Sequence, residues 1–291
     1  MKISPDCIPC FFRQADEITK RLNLSKYKKK KVFDEIAKAI PRFSLNITPP
    51  LVGRFIHNIV KKIAQKDDPY LEIKKRSNEL ALSLYPYLKR KLNNVQDRLK
   101  EAIKFSIAGN IIDYGVNSVT GDGEMKKKLE EILERKKVNK KFFRYAKFKK
   151  SLKKAKSILY LADNAGEVVF DKILIEEIRR IYPQKLIFYA VREKPIINDA
   201  LADDAYFCGI NKFAEVLSSG CDAPGTILSL CSKDFLKIYK NADLIISKGQ
   251  GNFETLWGKE KIFFLFMVKC DVVAKEVKCP KEEIMLLPSI S

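Results

Sequence analysis

The residues best suited to chemistry lie in three short polar clusters in the second half of the chain. They read LADNAGE at residues 161–167, VREKPIIND at residues 191–199 and ISKGQGNFE at residues 246–254. Each cluster follows a short apolar run that is typical of a buried strand. Carboxylate and amide oxygens bind hard divalent cations, whereas basic side chains and exposed backbone amides suit phosphate. The clusters therefore favour a site for a metal ion and a phosphate group.

The first cluster joins the end of a strand to the start of a helix. Asp163 and Asn164 offer adjacent side-chain oxygens, and Gly166 allows the backbone to approach a ligand. The amides of the following helix suit an anion such as phosphate. The alternative is that Asp163 or Asn164 only caps this helix. The segment that ends at Glu167 is richer in polar groups than a cap requires, so we interpret it as part of a binding site.

The second cluster supplies both cations and an acid. Arg192 and Lys194 leave the strand end as candidate phosphate partners, and Asp199 can turn back toward a metal ion beside Asp163. A solvated loop in which Asn198 or Asp199 caps the next helix is an equally good interpretation of this segment taken alone.

The third cluster combines a lysine with two glycines. Lys248 supplies a compact positive charge, Gly249 and Gly251 permit close backbone approach, and Asn252 adds a polar side chain. The spacing matches neither a Walker P-loop nor a GxGxxG loop, and a simple turn is the alternative. Because polar loops follow three separate strands, we favour one shared site. A fourth segment, residues 219–226, is predicted to shape the pocket wall.

The elements that must position these clusters change type along the chain. Apolar residues at three- and four-residue spacing predict helices over 7–22, 30–40, 51–65, 77–92 and 98–115. Beyond residue 155, strands are predicted at 157–163, 185–193, 242–249 and 263–269, with helices at 168–182 and 211–219. We therefore predict a helical N-terminal domain, 1–95, and an α/β metal- and phosphate-binding domain, 96–291. The second domain is expected to be a three-layer α/β/α fold with a mainly parallel sheet, whose ligands bind at the carboxyl ends of the strands.

These motifs together resemble the damage-control phosphatases. The resemblance rests on Asp-Asn-Ala-Gly-Glu, then Arg-x-Lys-Pro-x-x-Asn-Asp, then Ser-Lys-Gly-x-Gly-Asn, and it extends over most of the chain. It also includes Asp68-Pro69-Tyr70, the segment from Ala108 to Asp113, and the Cys7–Cys10 pair that is typical of the archaeal and bacterial branch. No single motif would suffice, but the combination is specific.

The resemblance implies a metal-dependent phosphatase that acts on sugar phosphates and other small phosphorylated metabolites. Asp163, Asn164 and Asp199 match the family's metal ligands, and Lys248 matches its phosphate-contacting lysine. Asn110 and Asp113 match polar residues that line the pocket. An all-oxygen ligand set suits Mn²⁺ or Mg²⁺, and Co²⁺ or Ni²⁺ can substitute.

Two questions of mechanism stay open at the level of sequence. The DxDx[TV] pattern of a phosphoaspartate phosphatase is missing, so direct attack by water is favoured over attack by a carboxylate such as Asp163. The family pattern does not decide whether Cys7 and Cys10 bind a metal, cycle between redox states or pack, and we favour packing or an incidental metal contact.

Bulk composition limits the partners. The formal net charge of +20 comes mainly from dispersed lysines, so we interpret it as a general attraction for anionic substrates. The chain lacks an ordered arginine stripe and an aromatic–basic RNA-binding signature, and nucleic acid is not an expected partner. With no run of roughly 20 apolar residues and no apolar leader, we expect a cytoplasmic protein without a membrane partner. The oligomeric state is open, with a homodimer as one option.

Two other function classes remain as alternatives. An S-adenosylmethionine-dependent methyltransferase would use a similar sheet, although no GxGxG loop follows the first predicted strand. A non-catalytic protein that binds anions or nucleic acid would use the basic surface. The single histidine, His57, lies in an amphipathic helical segment, where a packing or surface role is expected.

Overall fold

A computed structural model describes residues 1–109, 127, 130–131 and 138–289. The helices are α1 (Ile8–Arg21), α2 (Lys26–Ala39), α3 (Pro49–Ala64), α4 (Leu71–Asn93), α5 (Arg98–Ala108), α6 (Tyr145–Lys154), α7 (Glu167–Ile181), α8 (Ala202–Phe207), α9 (Lys233–Asn241), α10 (Gln250–Leu256) and α11 (Asp271–Val277). The strands are β1 (Ser157–Leu161), β2 (Leu186–Val191), β3 (Glu215–Ser218), β4 (Leu244–Lys248), β5 (Ile262–Met267) and β6 (Ile284–Pro288). Within this part of the chain, no helix combines the length and apolar character needed to span a bilayer.

The six strands form one sheet in the order β3-β2-β1-β4-β5-β6. All neighbouring strands are parallel except β6, which runs antiparallel to β5. The order reverses between β1 and β4, so the connections that leave these two strands diverge. In open α/β sheets such a switch point leaves a crevice outside the carboxyl ends of the strands, where ligands bind.

The sheet is covered by helices on both faces, because its central strands are apolar on both sides. In β1, Ile158 and Tyr160 belong to a core that includes residues of α4, α5 and α7. Leu159 and Leu161 point the other way, into a core built with residues of α9, α10 and α11. The predicted three-layer α/β/α architecture with a mainly parallel sheet is confirmed.

The first three helices have an apolar cluster of their own. Phe11, Ile18, Val32 and Ile56 are among its buried members. The apolar residues of α4 instead join the core on one face of the sheet, so this helix belongs to the α/β layers. The predicted boundary at residue 95 falls between α4 and α5 and stays a prediction.

One predicted helix, over 211–219, is wrong. The structure has a short 3-10 turn at Ile210–Lys212, followed by β3 at the sheet edge. Phe213, Val216 and Leu217 have helical spacing, but β3 is four residues long and only half-buried, so it lacks the apolar run of a central strand. Strand β6, at the other edge, was not predicted.

Candidate metal and phosphate site

The loops after β1 and β2 bring the three predicted metal ligands together. Asn164 and Asp199 face each other in an antiparallel bridge. Beside them, the amide of Ala200 donates to the carbonyl oxygen of Asp163 over 2.8 Å. Asp163, Asn164 and Asp199 therefore lie side by side at the carboxyl edge of the sheet, next to the switch point.

These three residues open onto a large cavity with a volume of about 1180 Å³. Its opposite wall comes from α1 and α3, including Cys10, Gln14 and Gly53. Pro224 contributes as well, so part of the fourth polar segment shapes the wall. The cavity thus lies between the N-terminal helices and the sheet edge.

Asp163 sits among like charges. Only 9 % of its surface is exposed. Burial, followed by the nearby carboxylates of Glu167 and Asp199, raises the pKa of Asp163 well above its usual range, and Lys269 opposes the shift. A cation beside Asp163 would relieve both the burial cost and the repulsion.

The buried ionic groups around the three residues carry a net negative formal charge. Four carboxylates and two cations lie in two hydrogen-bonded groups. Asn164 and Lys248 join Asp163, Glu167 and Asp171, and Arg192 pairs with Asp199. With all six ionised, the carboxylates outnumber the cations by two (four minus two). Because uncompensated buried charge is costly, a divalent cation fits this cluster.

The donor set is all oxygen. The amide nitrogen of Asn164 donates to Oε1 of Glu167 over 3.1 Å, which leaves Oδ1 as the amide atom that can bind a cation. Within the described residues, no group of three or more His, Cys, Asp or Glu side chains is placed to hold a metal. A metal here would therefore depend on the amide oxygen of Asn164 joining the carboxylates of Asp163 and Asp199.

Lys248 lies beneath this set rather than in the cavity. Its side chain is 1 % exposed, and its ammonium donates to Glu167 over 2.9 Å and to Asp171 over 2.7 Å. Burial alone would lower the pKa of Lys248, but the two carboxylates outweigh it and raise the pKa. In this structure Lys248 holds the residue that orients Asn164, and its predicted phosphate contact stays a prediction.

Asp171 is the centre of a polar network that sequence reasoning missed. Besides Lys248, it accepts hydrogen bonds from Ser106 (2.9 Å), Tyr160 (2.7 Å) and Tyr189 (3.0 Å). Its position inside an amphipathic helix gives no sign of this role. The two tyrosines lie opposite each other on β1 and β2, which is the register that brings both hydroxyls to one carboxylate.

Two backbone amides in the turn before α7 donate hydrogen bonds to other groups of the protein. The amide of Gly166 donates to Oδ1 of Asn78 over 2.7 Å, and the amide of Ala165 donates to the carbonyl of Asn198 over 2.8 Å. These two amides therefore have acceptors within the protein, and the expected approach of the Gly166 backbone to a ligand stays a prediction. Asn78 comes from α4, and the sequence gives no signal for this distant contact.

Arg192 and Asn252, both predicted to contact the substrate, make hydrogen bonds within the protein. Arg192 is buried and donates to Asp199 (2.7 Å), Thr226 (3.1 Å) and Asn252 (3.0 Å). The amide of Asn252 donates in turn to the carbonyls of Ala162 and Lys248, which fixes β1 and β4 at the switch point. The side chains of Arg192 and Asn252 thus hold the loops around the cavity, and their contacts with substrate stay predictions.

The remaining predicted residues divide between the cavity and the surface. Gly251 lines the cavity, and Gly249 packs against the carboxylate of Asp163. Lys194 is exposed and lies outside the cavity lining. Asn110 and Asp113 lie outside the described residues.

The cavity has basic side chains that the motifs did not indicate. Lys269, in the loop after β5, lies near enough to Asp163 to lower its pKa against the effect of burial. The other basic residues of the lining are Arg13, Lys275, Lys278 and Lys281. In a chain so rich in lysine these positions have no distinguishing sequence signal.

The Cys7–Cys10 pair lines the same cavity. Cys270 and Cys279 line it too, and all four are free thiols. Burial raises the pKa of the Cys7 thiol, which favours its neutral form. The pair lies at the start of α1, facing the crevice in which the oxygen ligands converge.

Comparison with known proteins finds relatives that match nearly the whole chain. The family model described as the Damage-control phosphatase ARMT1-like domain matches residues 3–285. Damage-control phosphatase PH1575 of Pyrococcus horikoshii is 36% identical over 285 residues, covering 97% of this chain and 96% of the relative. A damage-control phosphatase of Archaeoglobus fulgidus is 34% identical over 282 residues, covering 95% and 96%.

A solved structure extends the agreement to three dimensions. The crystal structure of the Pyrococcus horikoshii protein, described as a DUF89 family protein, superposes with a TM-score of 0.91 at 32% identity and covers 100% of both chains. The match of the family model and the near-complete coverage of these relatives show that the chain belongs to the ARMT1-like damage-control phosphatase family.

Proposed function

We propose that this chain is a divalent-metal-dependent phosphatase that hydrolyses small phosphorylated metabolites such as sugar phosphates. The names of its relatives support the phosphatase role. The observation that carries the metal dependence is the convergence of Asp163, Asn164 and Asp199 at a crevice, among buried carboxylates that outnumber the buried cations.

Asp163, Asn164 and Asp199 would hold the metal ion, with Mn²⁺ or Mg²⁺ as the expected species and Co²⁺ or Ni²⁺ as substitutes. When bound, the ion would offset charge on the phosphoryl group and orient the attacking group. Glu167 fixes the amide of Asn164, and Arg192 fixes the carboxylate of Asp199 over 2.7 Å. These contacts hold the ligands in place before a substrate arrives.

Lys269 is the basic residue of the cavity lining whose positive charge lowers the pKa of Asp163. We propose that Lys269 binds the substrate phosphate, in addition to the predicted phosphate contact of Lys248. A water molecule is the favoured nucleophile, because the sequence pattern of a phosphoaspartate enzyme is missing. Trapping a phosphorylated Asp163 would overturn the choice of water.

The dimensions of the cavity suit a small metabolite. Its volume of about 1180 Å³ exceeds what a phosphate group alone would fill and leaves room for a sugar-sized remainder. The basic residues of its lining fit an anionic substrate. We propose that the protein acts in the cytoplasm on a small phosphorylated metabolite. A homodimer is one option for its oligomeric state.

The test is phosphate release by metal-stripped protein, with each of Mn²⁺, Mg²⁺, Co²⁺ and Ni²⁺ added back, over a panel of sugar phosphates. Asp163→Ala and Asp199→Ala should abolish release while the far-UV and near-UV circular dichroism stays native. Asp234→Ala, at an exposed position on α9, is the matched control and should keep full activity. Full turnover by Asp163→Ala would refute the assignment.

The same preparation separates the alternatives. Binding of S-adenosylmethionine by metal-free protein, without phosphate release, would favour a methyltransferase. Salt-dependent binding to nucleic acid, again without phosphate release, would favour a non-catalytic binding protein. Release that requires the metal and Asp163 would exclude both as the main function.

A further inference from the structure

The cavity is lined by a buried carboxylic acid, Glu254, that has no role in the proposed reaction as described above. Glu254 lies on α10, one turn after Gln250, and both residues line the cavity together with Gly251. Gly249, directly before the helix, contacts the Asp163 carboxylate. Glu254 lies four residues beyond Gln250, the first residue of the helix, which is about 6 Å along the helix axis. Asp163 and Glu254 line the same cavity, so a phosphate ester bound there can contact both.

The Glu254 carboxyl is held in a defined orientation. Gln250 donates from Nε2 to Oε1 of Glu254 over 2.9 Å, and Oε1 of Gln250 accepts from the backbone amide of Lys269 over 2.9 Å. The second bond fixes which end of the Gln250 amide faces the carboxyl. In the described part of the chain, Gln250 is the one hydrogen-bond donor to this carboxyl.

The surroundings of Glu254 keep a proton available near neutrality. Its residue is 9 % exposed. Burial raises the pKa of Glu254 to about 7, while Gln250, the N-terminal ammonium of Met1 and Lys269 act in the opposite direction. A general acid is most effective when its pKa lies close to the working pH.

No other carboxyl in the described lining combines burial with an unassigned role. Asp163 and Asp199 are the proposed metal ligands, and the rest, Asp6, Glu17 and Asp271, are exposed. The single histidine, His57, is buried outside the cavity lining. By position and burial, Glu254 is the acid best placed to act on a bound ester.

We propose that Glu254 is the general acid that protonates the leaving oxygen of the phosphate ester. The inference rests on the proposed phosphatase function. As the bond between phosphorus and the ester oxygen breaks, its electron pair moves to that oxygen, which takes the proton of Glu254 and leaves as an alcohol. Water forms the new bond to phosphorus and releases a proton to solvent, and Glu254 is reprotonated from solvent. The sum is ester plus water giving alcohol plus phosphate.

The test compares two substrates with different leaving groups. The leaving group of a sugar phosphate is a strongly basic alkoxide, which needs a proton as it departs. The leaving group of p-nitrophenyl phosphate is p-nitrophenolate, a stable anion that does not need one. Glu254→Gln should lower kcat/KM for the sugar phosphate by about 10²- to 10³-fold and for p-nitrophenyl phosphate by less than about 10-fold. The metal concentration for half-maximal activation should not change.

Two further variants complete the design. Glu260→Gln, at an exposed position outside the cavity lining, should leave both substrates unaffected. Glu254→Asp keeps an acid and should recover part of the sugar phosphate activity. With the sugar phosphate, the wild-type rate should fall on the alkaline side with a midpoint near pH 7, and Glu254→Gln should lack this fall.

The outcomes separate this inference from the proposed function. Equal losses on both substrates, or an unchanged rate with the sugar phosphate, would overturn the role of Glu254 and leave the metal-dependent phosphatase standing. A wild-type protein that hydrolyses neither substrate with any metal would overturn both proposals.

Discussion

The α-carbon of Gly249 lies directly against the carboxylate of Asp163. A methyl group built on Gly249 would come within 2.0 Å of Oδ2 and 2.1 Å of Cγ of Asp163. The φ angle of Gly249 is +79°, a conformation that L-residues rarely adopt. The residue after β4 must therefore be a glycine, because any side chain there would overlap the carboxylate of Asp163. The sequence alone indicates only that Gly249 allows the backbone to approach a ligand.

Gly249→Ala should displace Asp163 and lower metal-activated phosphate release by about 100-fold or more, the scale seen when a reacting group is misplaced by an ångström. The matched control is Gly258→Ala, because Gly258 has a φ of +86° but nothing within 4 Å of the added methyl. Both variants share the backbone strain of a positive φ, but Gly249→Ala should lose more stability in urea unfolding, because only its methyl overlaps a neighbouring side chain, and only Gly249→Ala should lose metal activation. Equal activity in the two variants would contradict the displacement.

Lys248→Met should destabilise the fold. The variant leaves Glu167 and Asp171 buried without their shared cation, and breaking such a pair costs about 3–5 kcal/mol in the free energy of unfolding. Urea unfolding measures the change. Lys237→Met, at an exposed pair with Asp234, is the control and should change stability by less than about 0.5 kcal/mol. Unchanged stability of Lys248→Met, with only a higher KM, would instead favour a phosphate-binding lysine.

His57 should make the protein less stable in mild acid. Burial, assisted by the charge of Lys61, lowers the pKa of His57 from 6.5 to about 4, so below pH 6.5 the unfolded chain takes up a proton that the folded chain does not. Between pH 7 and pH 5 this histidine should cost about 2 kcal/mol of the free energy of unfolding. His57→Phe retains a ring beside Tyr70 and should remove that part of the loss.

The single histidine also permits a direct check. Its imidazole proton resonances should not shift in the native protein until the pH approaches 4. Titration with a midpoint near 6.5 in the folded state would show that His57 is accessible and would contradict the predicted stability profile.

The ion pair between Arg54 and Asp222 should support the cavity wall. The guanidinium binds both carboxylate oxygens, at 2.6 and 2.7 Å, and ties α3 to the loop after β3. Arg54→Ala should raise KM several-fold more than it lowers kcat, since α3 lines the cavity. A double-mutant cycle on stability should give a coupling of about 1 kcal/mol, against less than about 0.5 for the exposed Lys30–Asp34 pair.

The central strands and the positions of the candidate metal ligands could be predicted because local sequence determines both. β1 and β4 are apolar on both faces, and a polar residue that follows such a strand lies at the carboxyl edge of the sheet. Asp163, Asn164 and Asp199 meet there as expected. The edge strand β3 was mistaken for a helix because it is short and half-buried, so its sequence has little of the apolar signal.

The partners of the buried groups could not be predicted, because they come from distant parts of the chain. Lys248 meets Glu167 across 81 positions, and Asn78 meets Gly166 across 88. Asn78 and Asp171 each look like an ordinary polar residue of an amphipathic helix. Only the packing of α4, α5 and α7 on the sheet shows that they hold the candidate site.

The hydrogen bond from Gly166 to Asn78 also makes the candidate site depend on the docking of α4. The turn that carries Asp163 and Asn164 has a buried amide whose acceptor arrives with α4, so a chain that has formed its sheet but not docked this helix leaves that amide without its partner. The geometry of the turn thus depends on that docking, and during refolding we expect phosphatase activity to return no earlier than α4 docks on the sheet.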